Sequence, residues 1–383
     1  MMYRSKSASR ALDELIELGH KYPDCRIQAV DNILNMQYFK DFVPNLVKQN
    51  LQLELFFEVK ANLKKEQLRQ LREAGVIWIQ PGLESLDSSM LKRMRKGVRA
   101  LQNIQLLKWC KELDITPFWN IIWGFPGESP EVYQQMAQLV PLLTHLPPGG
   151  FSTVRLDRFS PNFVAAKQLG FTNVAPYPAY HYIYPFDSQT IANLAYFFVY
   201  QYREPQDVKN YTQPLADQLK TWNKVYSQND LLWLDRDPYL LIFDFRPIAR
   251  KSLIVLTGPS RLLYLACDTT QPISRLQQLL QKHTGKEEVP SQEVKILLKP
   301  LLDQGLMIAE DNAYLSLAIS LKEYVPKQAI QERYQHLLEQ FDEKLGSFRF
   351  KQGSKTNGKE LQNTPFDRGD IHQSQHQTIA PKK

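Results

Sequence analysis

Polar residues able to hold a zwitterionic ligand recur five times between Asp31 and Asn162, each time directly after a short apolar run. The first pair is Asp31 and Asn32. Lys60 and Asn62 follow in FFEVKAN, and Gly82, Glu84 and Ser85 in QPGLES. NIIWGFPGES then supplies Asn120, Trp123, Gly124, Gly127 and Glu128, and VRLDRFSPN supplies Asp157, Arg158, Ser160 and Asn162. Glycine lets a ligand approach the backbone closely. A carboxylate accepts from an ammonium or from ribose hydroxyls, and a cation receives a carboxylate. Such a rim suits a ligand that is zwitterionic and partly apolar.

Each residue also has an ordinary structural use. Asp31, Asn32, Asn62 and Ser85 are of the types that cap helices and form turns, and Gly82 and Gly124 suit tight strand-to-helix connections. Glu84 resists that reading, because a carboxylate directly after a buried strand is costly unless it is paired or holds a ligand.

The elements that must position these residues follow from periodicity. Five apolar runs rich in Val, Ile and Phe read as strands: Arg26 to Val30, Leu53 to Val59, Val76 to Gln80, Pro117 to Ile122 and Thr153 to Leu156. Between them, Ser9 to Gly19, Met36 to Gln49, Leu63 to Ala74, Ser88 to Leu113 and Pro130 to Leu143 read as helices. Asn62 is expected as an N-cap before Lys64 and Gly75 as a stop, and Leu101, Ile104, Leu107 and Cys110 form a stripe at helical spacing. Alternating units of this kind build a parallel α/β sheet curling toward a barrel, whose working face is the carboxyl end of its strands.

The predicted domains are 1–175 for this partial barrel, 176–230 for an aromatic-rich connector with a helix at NLAYFFVYQYRE, 231–345 for a small α+β unit, and 346–383 for a disordered tail. In the third part a hairpin around GPS (Leu253 to Leu256, Leu262 to Ala266), two helices and a hairpin at EDNAYLSL give a winged-helix-like order. The net charge is +7, of which the tail supplies +4, so the body argues against a nucleic-acid partner. No stretch approaches the roughly 18 apolar residues of a spanning helix, and MMYRSKSASR lacks a signal-peptide core. No membrane association and a cytoplasmic location are therefore expected. Cys25, Cys110 and Cys267 are too far apart to read as a disulfide framework or a metal motif.

QPGLESLDSSMLKRMRKG and WNIIWGFPGES resemble radical S-adenosylmethionine (SAM) enzymes, the first their fourth-strand motif and the second their fifth-strand G-x-P-G-E segment. With YRSKS, FFEVKANL and LLKWC, the likeness is closest to cobalamin-dependent radical enzymes that mature ribosomally made peptides, and it spans roughly Tyr3 to Phe171. The resemblance implies a TIM-type partial barrel in which Gly82, Glu84 and Ser85 hold the methionine and ribose parts of SAM. Asn120 and the turn Gly124, Pro126, Gly127 would shape the adenine side. Lys60, Asn62 and Arg158 join them by strand position. It further implies a four-iron four-sulfur cluster, cobalamin, and a precursor peptide seated by the winged-helix-like unit through β-augmentation.

The sequence departs from the family at one place. Radical SAM enzymes carry a CxxxCxxC loop after the first strand, three thiolates binding the cluster, and no such loop is present here. The expectation is the carboxyl-terminal part of a peptide-modifying radical enzyme, possible reactions including C-methylation, with the first strand and cysteines upstream or on a partner chain. Two alternatives stay open: a non-catalytic peptide-binding module or partner subunit of a split enzyme, and a barrel lyase using Lys60 as a Schiff-base nucleophile.

Overall fold

A computed structural model describes residues 4–31 and 33–353; Asn32 and 354–383, most of the predicted tail, lie outside the described residues. The chain divides into two compact units, Met1–Glu332 and Arg333–Lys383.

The first half alternates helix and strand as the periodicity predicts. In order come α1 (Ala8–Lys21), β1 (Arg26–Gln28), α2 (Phe42–Gln49), β2 (Glu54–Val59), α3 (Lys65–Glu73), β3 (Val76–Pro81), α4 (Ser88–Arg93), α5 (Ala100–Glu112), β4 (Thr116–Pro117), β5 (Asn120–Trp123), α6 (Pro130–Leu143) and β6 (Gly150–Thr153). β1-β2-β3-β4 and β5-β6 are parallel ladders. A parallel bridge between Glu84 and Ile121 carries the curvature from one ladder to the next. The architecture is that of a TIM-type α/β sheet. Leu55, Phe57 and Val59 on β2 and Ile79 on β3 are buried, whereas Phe56 and Glu58 on β2 and Trp78 and Gln80 on β3 share the more open face. A strand has period 2, so one face builds the core and the other lines a cleft.

Several local expectations need correction. The long helix expected from Ser88 to Leu113 is two helices, because the chain leaves α4 through left-handed Arg95 (φ 55°) and Gly97 (φ 72°). The cap of α3 is Lys64, whose backbone N–H donates to the Gln67 side chain, and Asn62 sits in the preceding turn. Gly75 does stop the helix, at φ 88°, where an added Cβ would lie 2.5 Å from Leu53 O. The fourth predicted strand is broken into β4 and β5, the fifth into β6 and β7 (Leu156–Asp157).

Beyond β7 come α7 (Pro161–Val164), α8 (Ala166–Leu169), β8 (Phe171–Pro176), α9 (Ala179–Ile183), α10 (Ser188–Leu194) and β9 (Phe197–Tyr202). Half of the expected helix in NLAYFFVYQYRE is thus β9, the middle strand of a β7-β9-β8 sheet. Alternating aromatic residues prefer a pleated surface. The boundary drawn at 175 cuts through β8.

α11 (Val208–Val225) leads into β10 (Leu231–Arg236), β11 (Tyr239–Asp244), β12 (Leu253–Leu256), α12 (Gly258–Ala266), β13 (Gln271–Pro272), α13 (Ile273–Thr284), α14 (Ser291–Asp303), β14 (Met307–Glu310), β15 (Ala313–Ser316) and β16 (Ile319–Ser320). After GPS the chain forms α12 where a returning strand was expected, since Pro259 falls in the first turn of a helix. The hairpin at EDNAYLSL is present as β14-β15, turning through left-handed Asp311 and Asn312. α15 (Gln328–Gly353) runs across the boundary placed at 346.

The predicted stripe on α5 is buried, but so are Asn103, Lys108, Lys111 and Glu112. Lys108 Nζ donates to Ser316 O (2.6 Å) and Asp268 Oδ1 (3.2 Å), Lys65 pairs with Glu112 at 2.7 Å, and Lys111 pairs with Asp230. A buried charge is tolerated when it is paired and hydrogen-bonded, and the partners of Lys108 and Lys111 come from the second half of the chain.

Candidate functional site

The carboxyl ends of β2, β3 and β4 and the start of β5 open onto a cleft of about 610 Å³. Lys60, Asn62, Gly82, Glu84 and Asn120 all line it. The structure thus brings together five of the ten residues picked out from sequence. Glu58, Gln80, Lys96, Phe118 and Trp119 complete much of the wall.

Glu84 is the most constrained of these. Its backbone is left-handed, at φ 60°, which for a residue with a Cβ costs roughly 1 kcal/mol. The buried Asn103 amide holds that turn by donating to Leu83 O (2.9 Å) and Ser85 O (2.8 Å), while Ile122 N donates to Glu84 O at 3.0 Å. The Glu84 side chain stays 30% exposed, and its Oε1 accepts from Lys96 Nζ at 2.7 Å. Strained backbone that the surroundings over-determine is a mark of functional positions. Asn120 stands opposite Gly150, where only glycine leaves room for it: a Cβ there would fall 2.0 Å from Asn120 Oδ1.

The other five candidates have different surroundings. Ser85 is buried; its hydroxyl accepts from Asp87 N (3.1 Å) and faces Met136 Sδ, so it shapes the turn before α4. Gly124, Pro126 and Gly127 form a turn that does not line the cleft. The Glu128 carboxylate accepts from Gly124 N and Phe125 N (both 2.8 Å) and from Tyr211 Oη (2.7 Å), Arg93 donates to Gly127 O (2.9 Å), and Tyr202 Oη donates to Gly124 O (2.9 Å). Arg158 donates through Nε to Ala195 O at 2.5 Å and lies over the rings of Phe163 and Phe198, closing the end of α10. Of residues not picked from sequence, Lys96 is the most telling; it sits twelve positions after Glu84 in a basic run, LKRMRKG, that reads as solvated surface. Glu58 and Gln80 were detectable from the period-2 alternation alone.

A strand-end cleft with acceptors, side-chain amides and two lysines is the setting for a polar nucleoside or amino-acid ligand. Residues 3–140 match the Radical SAM superfamily model. Over this stretch the chain is similar to that superfamily. Among curated proteins, an uncharacterised methyltransferase of Pyrococcus horikoshii is 25% identical over 132 residues, 34% of this chain and 29% of its own length. This chain therefore spans under a third of that relative. Among solved structures, the radical SAM methyltransferase TsrM of Kitasatospora setae, with tryptophan substrate and a SAM analogue bound, aligns at 17% identity and TM-score 0.44 over 57% of this chain and 47% of that one. Coproporphyrinogen III oxidase of Escherichia coli, a radical SAM enzyme, aligns at 13% and TM-score 0.32 over 82% and 81%.

The cleft fits SAM by its donor set: Glu84 for hydroxyls or the amino group, Asn62 and Asn120 for amide contacts, Lys60 for a carboxylate. The iron-sulfur cluster fares differently. Cys25 is exposed, while Cys110 and Cys267 are buried and held as thiols, burial pushing Cys267 up to about 12. Among the described residues no group of three His, Cys, Asp or Glu is placed to hold a metal ion. These residues do not fit as the cluster's ligands.

Proposed function

We propose that the cleft binds SAM and that the chain is the SAM-holding part of a radical SAM enzyme, related to methyltransferases, that modifies a ribosomally synthesised peptide. The observation that carries the first half is Glu84, set in a left-handed turn by Asn103 and aimed into the strand-end cleft. Bound there, SAM supplies a sulfonium whose alkyl groups are the transferable carbons. The chain's residues bind and orient it: Glu84 and Asn120 accept from and donate to its polar edges, Gly82 permits close approach, and Lys60 balances its carboxylate.

A second chain segment would bring the cluster cysteines and a further strand, since among the described residues β1 pairs with β2 alone. Cobalamin enters this proposal only through the family. A peptide substrate is supported by the exposed aromatic surface around Tyr177, Tyr182, Phe186 and Phe197, and free thiols suit the reducing cytoplasm. The poor fit to a cluster favours one alternative, a peptide-binding or partner subunit.

Titration of the chain with S-adenosylhomocysteine in a calorimeter tests the cleft. Saturable binding that weakens about tenfold in E84Q and N120A is expected, the loss of a charge-assisted hydrogen bond being worth about 1.5 kcal/mol. No binding to the native chain, or equal binding by both variants, refutes the assignment.

A further inference from the structure

Lys96 stands on the rim loop between α4 and α5, and the loop itself is rigidly specified. Its N–H donates to Leu91 O (3.0 Å), closing the end of α4, and left-handed Arg95 and Gly97 flank it. From there the side chain crosses Gly82 to reach Glu84 Oε1 at 2.7 Å. The path exists because position 82 has no side chain: a Cβ there would lie 2.8 Å from Lys96 Nζ and 3.5 Å from Glu84 Oε1. Both partners are partly buried, at 24% and 30% side-chain exposure, so the pair is screened less than a surface one.

We propose that Lys96 is a positioning residue that neutralises Glu84, making its carboxylate an acceptor for neutral hydroxyls and not a seat for an ammonium. The inference rests on the reading of the cleft as a nucleoside site and adds what selects the group bound at Glu84. With Oε1 held by an ammonium, a second cation at the same carboxylate meets like-charge repulsion. A hydroxyl pair donating to Oε2 meets none, and it finds the carboxylate already oriented. Removing Lys96 leaves a more mobile, uncompensated anion and a weaker preference for the diol.

The test is calorimetric titration of the full chain with adenosine and with 2′,3′-dideoxyadenosine, for the native protein, K96R and K96M, with a thermal melt of each. The native chain is expected to prefer adenosine at least tenfold, K96R to keep most of that preference and K96M to lose about tenfold of it. If K96M keeps the preference, or weakens both nucleosides equally, Lys96 is merely structural and the proposal falls. If the native chain binds neither nucleoside, the cleft reading itself fails and takes this inference with it. Should K96M not melt cooperatively, G82A provides the same measurement, since its Cβ displaces the ammonium without deleting it, and an unaltered preference there overturns the proposal equally.

Discussion

Adjacent glycines at 149 and 150 give the sharpest separation of stability from binding. At Gly149 an added Cβ would lie 2.6–2.9 Å from three carbons of the Trp119 ring. That ring is 5% exposed, its Nε1 donates to Pro147 O (3.2 Å), and it meets Trp222 edge-on at 6.0 Å. It has nowhere to go, so G149A should cost about 1–3 kcal/mol, the range for overpacking a filled core. At Gly150 the obstruction is Asn120 Oδ1, the far end of an exposed side chain that can rotate. That rotation costs about 0.5–1.5 kcal/mol, and the lower chain entropy of unfolded alanine returns about 0.4–1 kcal/mol. G150A should therefore unfold close to the native urea midpoint yet bind S-adenosylhomocysteine several-fold more weakly, because Asn120 has left the cleft wall. Equal destabilisation by both substitutions would show Asn120 pinned and refute the packing argument. Native affinity in G150A would remove Asn120 from the ligand site.

Two further outcomes follow from buried groups. Burial, with Arg246 adding to it, holds His145 well below its ordinary value, and its Nε2–H donates to Leu317 O at 2.9 Å. The unfolded chain thus takes up a proton near pH 6.5 that the folded chain refuses, so this group's contribution is intact above pH 6.5 and is lost as pH falls below it; H145Q should flatten the stability slope of the native protein between pH 5 and 6.5, and an unchanged slope would count against the assignment. At the turn after β5, E128Q replaces one of two acceptor oxygens that together hold Gly124 N, Phe125 N and Tyr211 Oη. A loss of about 1–3 kcal/mol in urea unfolding is expected, and a loss under 0.5 kcal/mol would mean that Arg93 and Tyr202 suffice to keep the turn.

The alternation of strands and helices through the first 150 residues, a polar cleft at strand ends, and Glu84 as the residue there with the least ordinary surroundings were all legible in the sequence. Period-2 and period-3.6 patterns are local, and a carboxylate next to an apolar run is conspicuous anywhere. Local signals misled where tertiary contact outweighed them. The aromatic run at β9 took strand form because β7 and β8 flank it, and Lys108 and Lys111 on α5 look solvated in sequence but are buried against partners more than a hundred residues away. Arg158 and the Gly124–Gly127 turn follow strands as the cleft residues do, yet they are engaged in capping α10 and in a turn closed by Glu128. Strand position says which end of the sheet a residue occupies. Only the packed structure decides whether its side chain meets a ligand or another part of the chain, because that depends on long-range neighbours whose register no local pattern encodes.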